Sequence, residues 1–150
     1  MFLAKSLHII AAVIWVGGMF FAYMALRPAA ASLLEPPQRL SLWDGVFTKF
    51  FFWVWISIAV IVLSGYHMMF SYFAGFAGSG MHIHLMHGMG LLMIMIFMHV
   101  YFAPYKRLKK LVAEKNYPEA AKNLNLIRKL VALNLTIGLL TFIAAESVLL

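Results

Sequence analysis

Apolar residues run along this chain in four long blocks, separated by segments where prolines and charges collect. Within each block the apolar positions surround the whole helical circumference rather than following one stripe. That is the pattern of a helix with lipid or protein on every side. A hydrocarbon core takes roughly 20 helical residues to cross. Residues 2–26, 47–73, 82–105 and 127–150 meet that length, so the pattern predicts an all-α integral membrane protein, a four-transmembrane-helix bundle forming a single domain over 1–150.

The connections carry their own signals. Residues 27–46 contain Pro28, Pro36 and Pro37, which predicts a break with a short interfacial helix and Trp43 near the membrane surface. Residues 106–122 are basic, and Asn116-Tyr117-Pro118-Glu119 reads as a helix start: a polar cap, proline in the first turn, an acid at the positive dipole end. The helix beginning there is expected to run into the fourth span. The uncharged stretch Gly75 to Gly80 predicts a short turn between the second and third spans. Phe50, Phe51, Phe52, Trp53 and Trp55 read as an aromatic belt at one interface.

Composition sharpens this picture. With 64% hydrophobic and 11% charged residues, an ordinary soluble domain is excluded. The first block is too long for the core of a secretory signal and holds His8 and Trp15, so it is read as a retained span. The absence of cysteine excludes disulfides, thiolate metal sites, cysteine-held iron–sulfur clusters and covalent haem attachment. A net charge of +7 would suggest nucleic acid if the cations formed one solvated patch. Instead all of them except Lys5 fall on the side of the first and third connections. By the positive-inside rule that side is cytoplasmic, which places both termini outside a bacterial-type cytoplasmic (inner) membrane, with the lipid bilayer and not nucleic acid as partner. The basic face of 106–122 also suits anionic headgroups.

His8, His67, His82, His84 and His87 all fall near the outer ends of their blocks. Ionisable side chains in hydrocarbon persist where a partner, cofactor or path uses them. Imidazoles from three spans at one depth therefore predict a shared pocket for a metal or haem. His84 and His87 are three residues apart, on one helix face, with Gly88 and Gly90 removing bulk beside them. His82 is expected to be solvated. Trp15 shares a face with His8, and Gly18 with Ala22 forms a small-xxx-small pair for close helix approach. Glu146 is a candidate to orient a ligating imidazole from behind, or simply to reach water. His99 lies roughly 18 Å along the helix from His87 and cannot share that site; Asn134 is its expected hydrogen-bond partner. Methionines crowd spans two and three. They read as core filler or, with Met86, Met89 and Met93 on one face, as thioethers for monovalent copper.

LHIIAAVIWVGG, residues 7–18, resembles the first-helix signature of the copper-resistance D (CopD) family. The likeness continues through Arg27-Pro28, the HGMG and MHVYF stretches of span three and the region of Asn134. The chain is also similar to the HemJ-type protoporphyrinogen oxidases, four-helix membrane proteins that bind b-type haem. In that resemblance His8 and Trp15 match a first-helix histidine and tryptophan, and His99 a third-helix histidine. Where the HemJ pattern has a lysine in the first half of helix three, this chain has His84 and His87, which departs from the pattern that oxidase carries.

Three functional expectations follow. The first is a b-type haem protein with a redox or electron-transfer role and an unnamed redox partner, binding one or two haems. The ligands would be His8 and His87, with His67 and His84 as substitutes or a second pair, Trp15 as a wall, and Tyr66 and Lys5 toward propionates; enzymic oxidoreductase activity stays open. The second is a copper-binding or copper-transport protein using His8, His67, His84 and His87 with Met68 and Met86. A third, non-catalytic reading is a structural subunit forming homo-oligomers through its small-residue faces.

Overall fold

The computed structural model describes residues 1–146. They form helix α1 (Phe2–Phe21), a π turn (Ala22–Leu26), α2 (Arg27–Leu33), α3 (Pro36–Tyr72), the one-turn α4 (Gly75–Gly78), α5 (Met81–Val100), a second π turn (Tyr101–Tyr105), α6 (Lys106–Ala113) and α7 (Tyr117–Glu146). The described residues are helical with no strands, and four continuous helical stretches are long and apolar enough to cross a membrane: Phe2–Leu33, Pro36–Tyr72, Met81–Ala113 and Tyr117–Glu146. The expected fold class therefore holds. The end of the fourth predicted span, 147–150, lies outside the described residues.

The first connection differs from expectation. Instead of a long segment with a separate interfacial helix, the first stretch stays helical to Leu33 and α3 starts at Pro36, leaving only Leu34 and Glu35 extended between them. Each proline is placed where its missing N–H costs little. Pro28 sits in the first turn of α2, directly after a π turn, and Pro36 and Pro37 open α3. Pro104 lies inside the second π turn, where a wider register eases the clash of its ring with the preceding turn. The second connection matches its sequence signal. Lys115 adopts a left-handed conformation (φ 56°), Asn116 N–H returns to the Leu111 carbonyl and Lys115 N–H to Val112, closing α6 with two carbonyls satisfied. α7 then starts at Tyr117 with Glu119 in its first turn.

α1 packs chiefly on α3, and α5 on α7. Gly18 makes the first approach possible, since a Cβ there would fall inside the Phe50 ring. Gly138 does the same where α7 meets α1 and α5: a Cβ would lie 2.8 Å from Val16 Cγ2 and 3.1 Å from Met93 Cε. The core is richest toward the basic end of the bundle. There Phe51 stacks on Phe47 at 5.0 Å and meets Phe97 and Tyr105 edge-on at 5.3 and 4.9 Å. This corrects one assignment. Phe51 of the expected belt belongs to the core, while Phe52 and Trp53 face outward; Trp43 is buried against Phe47. Helical residues turn by about 100° each, so a run of consecutive aromatics must divide between core and lipid.

Candidate functional site

The histidine-bearing end is built from the start of α1, the end of α3, α4 and the start of α5. His8, one turn into α1, lies against α3: its Nδ1 is 3.0 Å from Ser64 Oγ, and a Cβ on Gly65 would come within 3.2 Å of its Cε1. The Ser64 hydroxyl donates to the Val60 carbonyl, so its oxygen accepts from His8 Nδ1–H. With Ser64 accepting, the ring proton is assigned to Nδ1 and the lone pair to Nε2. Glycine at position 65 is what allows the ring this close to the α3 backbone.

His84 and His87 share one face of α5, as their spacing predicts. Phe76, carried on α4, stacks on His84 at 6.4 Å and meets His87 edge-on at 5.5 Å. Tyr66 adds an edge contact to His87, also at 5.5 Å. The pair thus sits behind an aromatic wall, with His84 exposed and His87 half-buried. Phe76 escaped the sequence reading because a phenylalanine in a glycine-rich turn reads as linker. Its signal is the turn itself: Ala74 and Gly75 both have positive φ, and Gly75 is the residue that takes φ 76° without strain.

The remaining residues are placed as follows. His67 points outward, edge-on to Tyr72 at 5.9 Å and within 3.5 Å of Ser71 Oγ, and Tyr72 in turn takes a hydrogen bond from the amino group of Met1. His82 is half-buried rather than fully solvated and lies beside Gly80. Met68 and Met86 are half-buried. Glu146 is exposed, and among the described residues no hydrogen bond joins it to an imidazole. Trp15 is fully buried against Phe97 at mid-bundle, well below His8. Lys5 is exposed.

Two expectations need correction. The imidazoles do not converge in one pocket: among the described residues no group of three or more histidines and carboxylates is placed to hold a metal ion. His8 meets α3 at positions 64 and 65, His87 meets it at 66, and His67 faces away, so the four residues of one helical turn look in different directions. Nor does Asn134 pair with His99. Its Nδ2 donates to the Met93 carbonyl at 3.3 Å, while His99 lies exposed on α5. Asn134 Oδ1 is buried without a donor, beside a cavity of about 20 Å³ lined by Trp15, Met19 and Phe97, room for about one water.

A bundle of four helices long and apolar enough to cross a membrane, with His84 and His87 on one face at one end and a basic rim at the other, defines a polytopic membrane protein. The chain belongs to the copper resistance protein D (CopD) family, whose model matches residues 44–148. That match covers α3 to α7, including His67, His84 and His87, and leaves out α1 with His8. No curated protein and no solved structure matches the chain.

Proposed function

We propose that this CopD-family protein binds copper at the histidine-bearing end of its bundle, with His84 and His87 as principal ligands. The observation that carries this reading is their shared face on α5, open to the outside and backed by Phe76 and Tyr66. Imidazole suits copper in both common oxidation states, and a thioether would favour the monovalent ion. The aromatic wall excludes water from one side of the pair, which strengthens whatever charge the site holds. With the basic end cytoplasmic, the copper end faces outward from a bacterial-type cytoplasmic membrane.

Haem fits this arrangement less well. His8 lies close against α3 at Gly65, with its Nδ1 on Ser64 Oγ. His87 is closed in by Tyr66 and Phe76.

Purified protein titrated with monovalent copper against a competing chelator tests the proposal. Wild type is expected to bind, and His84→Ala or His87→Ala to weaken binding by more than the roughly 10–100-fold typical of losing an outer-shell partner. His67→Ala, whose ring faces away, is expected to change little. Unaltered binding in both His84→Ala and His87→Ala overturns the assignment.

A further inference from the structure

A cleft of about 330 Å³ opens between α6 and the first turns of α7, within the roughly 300–1,000 Å³ of small-ligand pockets. Arg107, Lys110, Leu111 and Glu114 line it from α6 and its cap, Glu119 and Asn123 from α7. Its depth follows from the chain. Arg107 and Lys110 lie two and five residues past Tyr105, the end of the third apolar block, hence roughly 3 and 8 Å beyond it along a helix. Asn123 lies four residues before Ile127, where the fourth block begins, hence roughly 6 Å outside it. The headgroup layer on each side of a bilayer occupies about 5–7 Å beyond the hydrocarbon. Glu114 and Glu119 lie nine and eight residues outside the two blocks, roughly 14 and 12 Å beyond them, so the cleft begins in the headgroup layer at Arg107 and reaches past it to the carboxylates at its outer rim.

Its charge selects the kind of headgroup. The surrounding surface is strongly basic, with Lys106, Lys109, Lys115, Lys122, Arg128 and Lys129 all exposed, and attracts any anionic lipid without discrimination. The lining itself is different: two cations, Arg107 and Lys110, face two carboxylates, Glu114 and Glu119. Lys110 and Glu114 stand 3.9 Å apart and both are more than half exposed, a loose pair that contributes little by itself and remains available to a ligand. Glu119 holds Lys122 through one oxygen at 2.6 Å, and a carboxylate has a second. A lining with equal charges of both signs, arranged as cations beside carboxylates, complements a group that carries both signs itself.

We propose that the α6–α7 cleft binds the headgroup of a phosphoethanolamine phospholipid, its phosphate on Arg107 and Lys110 and its primary ammonium on Glu114 and Glu119. Arg107 offers the forked N–H donors that match phosphate oxygens. An ammonium with N–H donors satisfies the carboxylates, whereas the quaternary nitrogen of a choline headgroup has none to give. A phosphoglycerol headgroup brings a net negative charge to a cleft that already holds two carboxylates. The acyl chains would run toward the hydrocarbon along the exposed apolar flank that includes Phe102 and Leu126.

The test is lipid retention. Full-length protein is reconstituted in nanodiscs with equal phosphatidylethanolamine, phosphatidylglycerol and phosphatidylcholine, and the lipids that stay bound on release are counted by native mass spectrometry. Phosphatidylethanolamine is expected to exceed phosphatidylcholine by about tenfold, the low end for one hydrogen bond to a charged group. In the Glu114→Gln, Glu119→Gln double variant that preference is expected to disappear, and in Arg107→Gln, Lys110→Gln retention of all three falls together. Each single variant is run alongside, with helicity checked by circular dichroism, so that a misfolded double variant does not decide the result. Equal retention of the ethanolamine and choline lipids by wild type, preferential retention of phosphatidylglycerol, or an ethanolamine preference that survives every carboxylate variant overturns the proposal.

Discussion

Gly138→Ala tests how tightly the bundle is closed where three spans meet. The added methyl would lie 2.8 Å from Val16 Cγ2, 3.3 Å from Val16 Cγ1 and 3.1 Å from Met93 Cε, so it is pressed from α1 and α5 together; Met93 can give at its flexible end, whereas the branched Val16 is stiff at χ1. Overpacking of this kind costs about 1–3 kcal/mol. Alanine also gains about 1 kcal/mol over glycine in helix propensity, so the net loss is about 0–2 kcal/mol. Gly17→Ala isolates the two contributions, because nothing lies within 4 Å of a Cβ there and only the propensity gain applies. The two variants should therefore differ by about the overpacking cost alone, on the order of 2–12 °C in melting temperature at about 2–4 °C per kcal/mol for a chain of this size. Thermal unfolding in detergent, followed by circular dichroism, measures the difference. A second check is Val16→Ala, which removes both clashing methyl groups; combined with Gly138→Ala it should show a favourable coupling in a double-mutant cycle. Equal melting temperatures for Gly17→Ala and Gly138→Ala, or no coupling with Val16→Ala, would refute the packing argument.

Other perturbations separate core from lipid face and polar anchor from filler. Phe51→Ala, which empties the centre of the aromatic cluster, is expected to cost about 3–5 kcal/mol, while its outward neighbour Phe52→Ala stays within about 0.5 kcal/mol in the same unfolding assay. Ser64→Ala removes the acceptor that holds His8 and should lower stability by about 0.6–2 kcal/mol, the range for interhelical hydrogen bonds in membranes. Its imidazole ¹⁵N shifts should also lose the single-tautomer signature. Asn134→Leu deletes one long hydrogen bond together with a buried oxygen that has no donor, so stability should be unchanged or higher; a clear loss would show that Oδ1 serves a partner of its own.

Legibility in the sequence varied by element. The α6–α7 connection was readable because cap, proline and acid act over a few residues, and Asn116, Pro118 and Glu119 sit where those local rules place them. The first connection was not. Its prolines read as breakers of a long loop, yet a π turn and two helix starts absorbed them, leaving two residues between α2 and α3. The pairing of His84 and His87 followed from spacing on one helix, but their wall did not, since Phe76 reaches them only through the turn at Ala74 and Gly75.

The linear pattern by itself determined that the chain is a membrane protein of four helical spans, that one end is basic and the other histidine-bearing, and that cysteine chemistry is absent. Those properties depend on length, composition and local periodicity, which the bilayer reads one helix at a time. Tertiary structure alone decided which aromatic rings back His84 and His87, why Asn134 bonds to Met93 instead of His99, and which aromatics of 50–55 enter the core. Such choices depend on the rotation of each helix about its axis, and when every face of a span is apolar, only the fit of side chains such as Phe50 over Gly18 or Val16 over Gly138 sets that rotation.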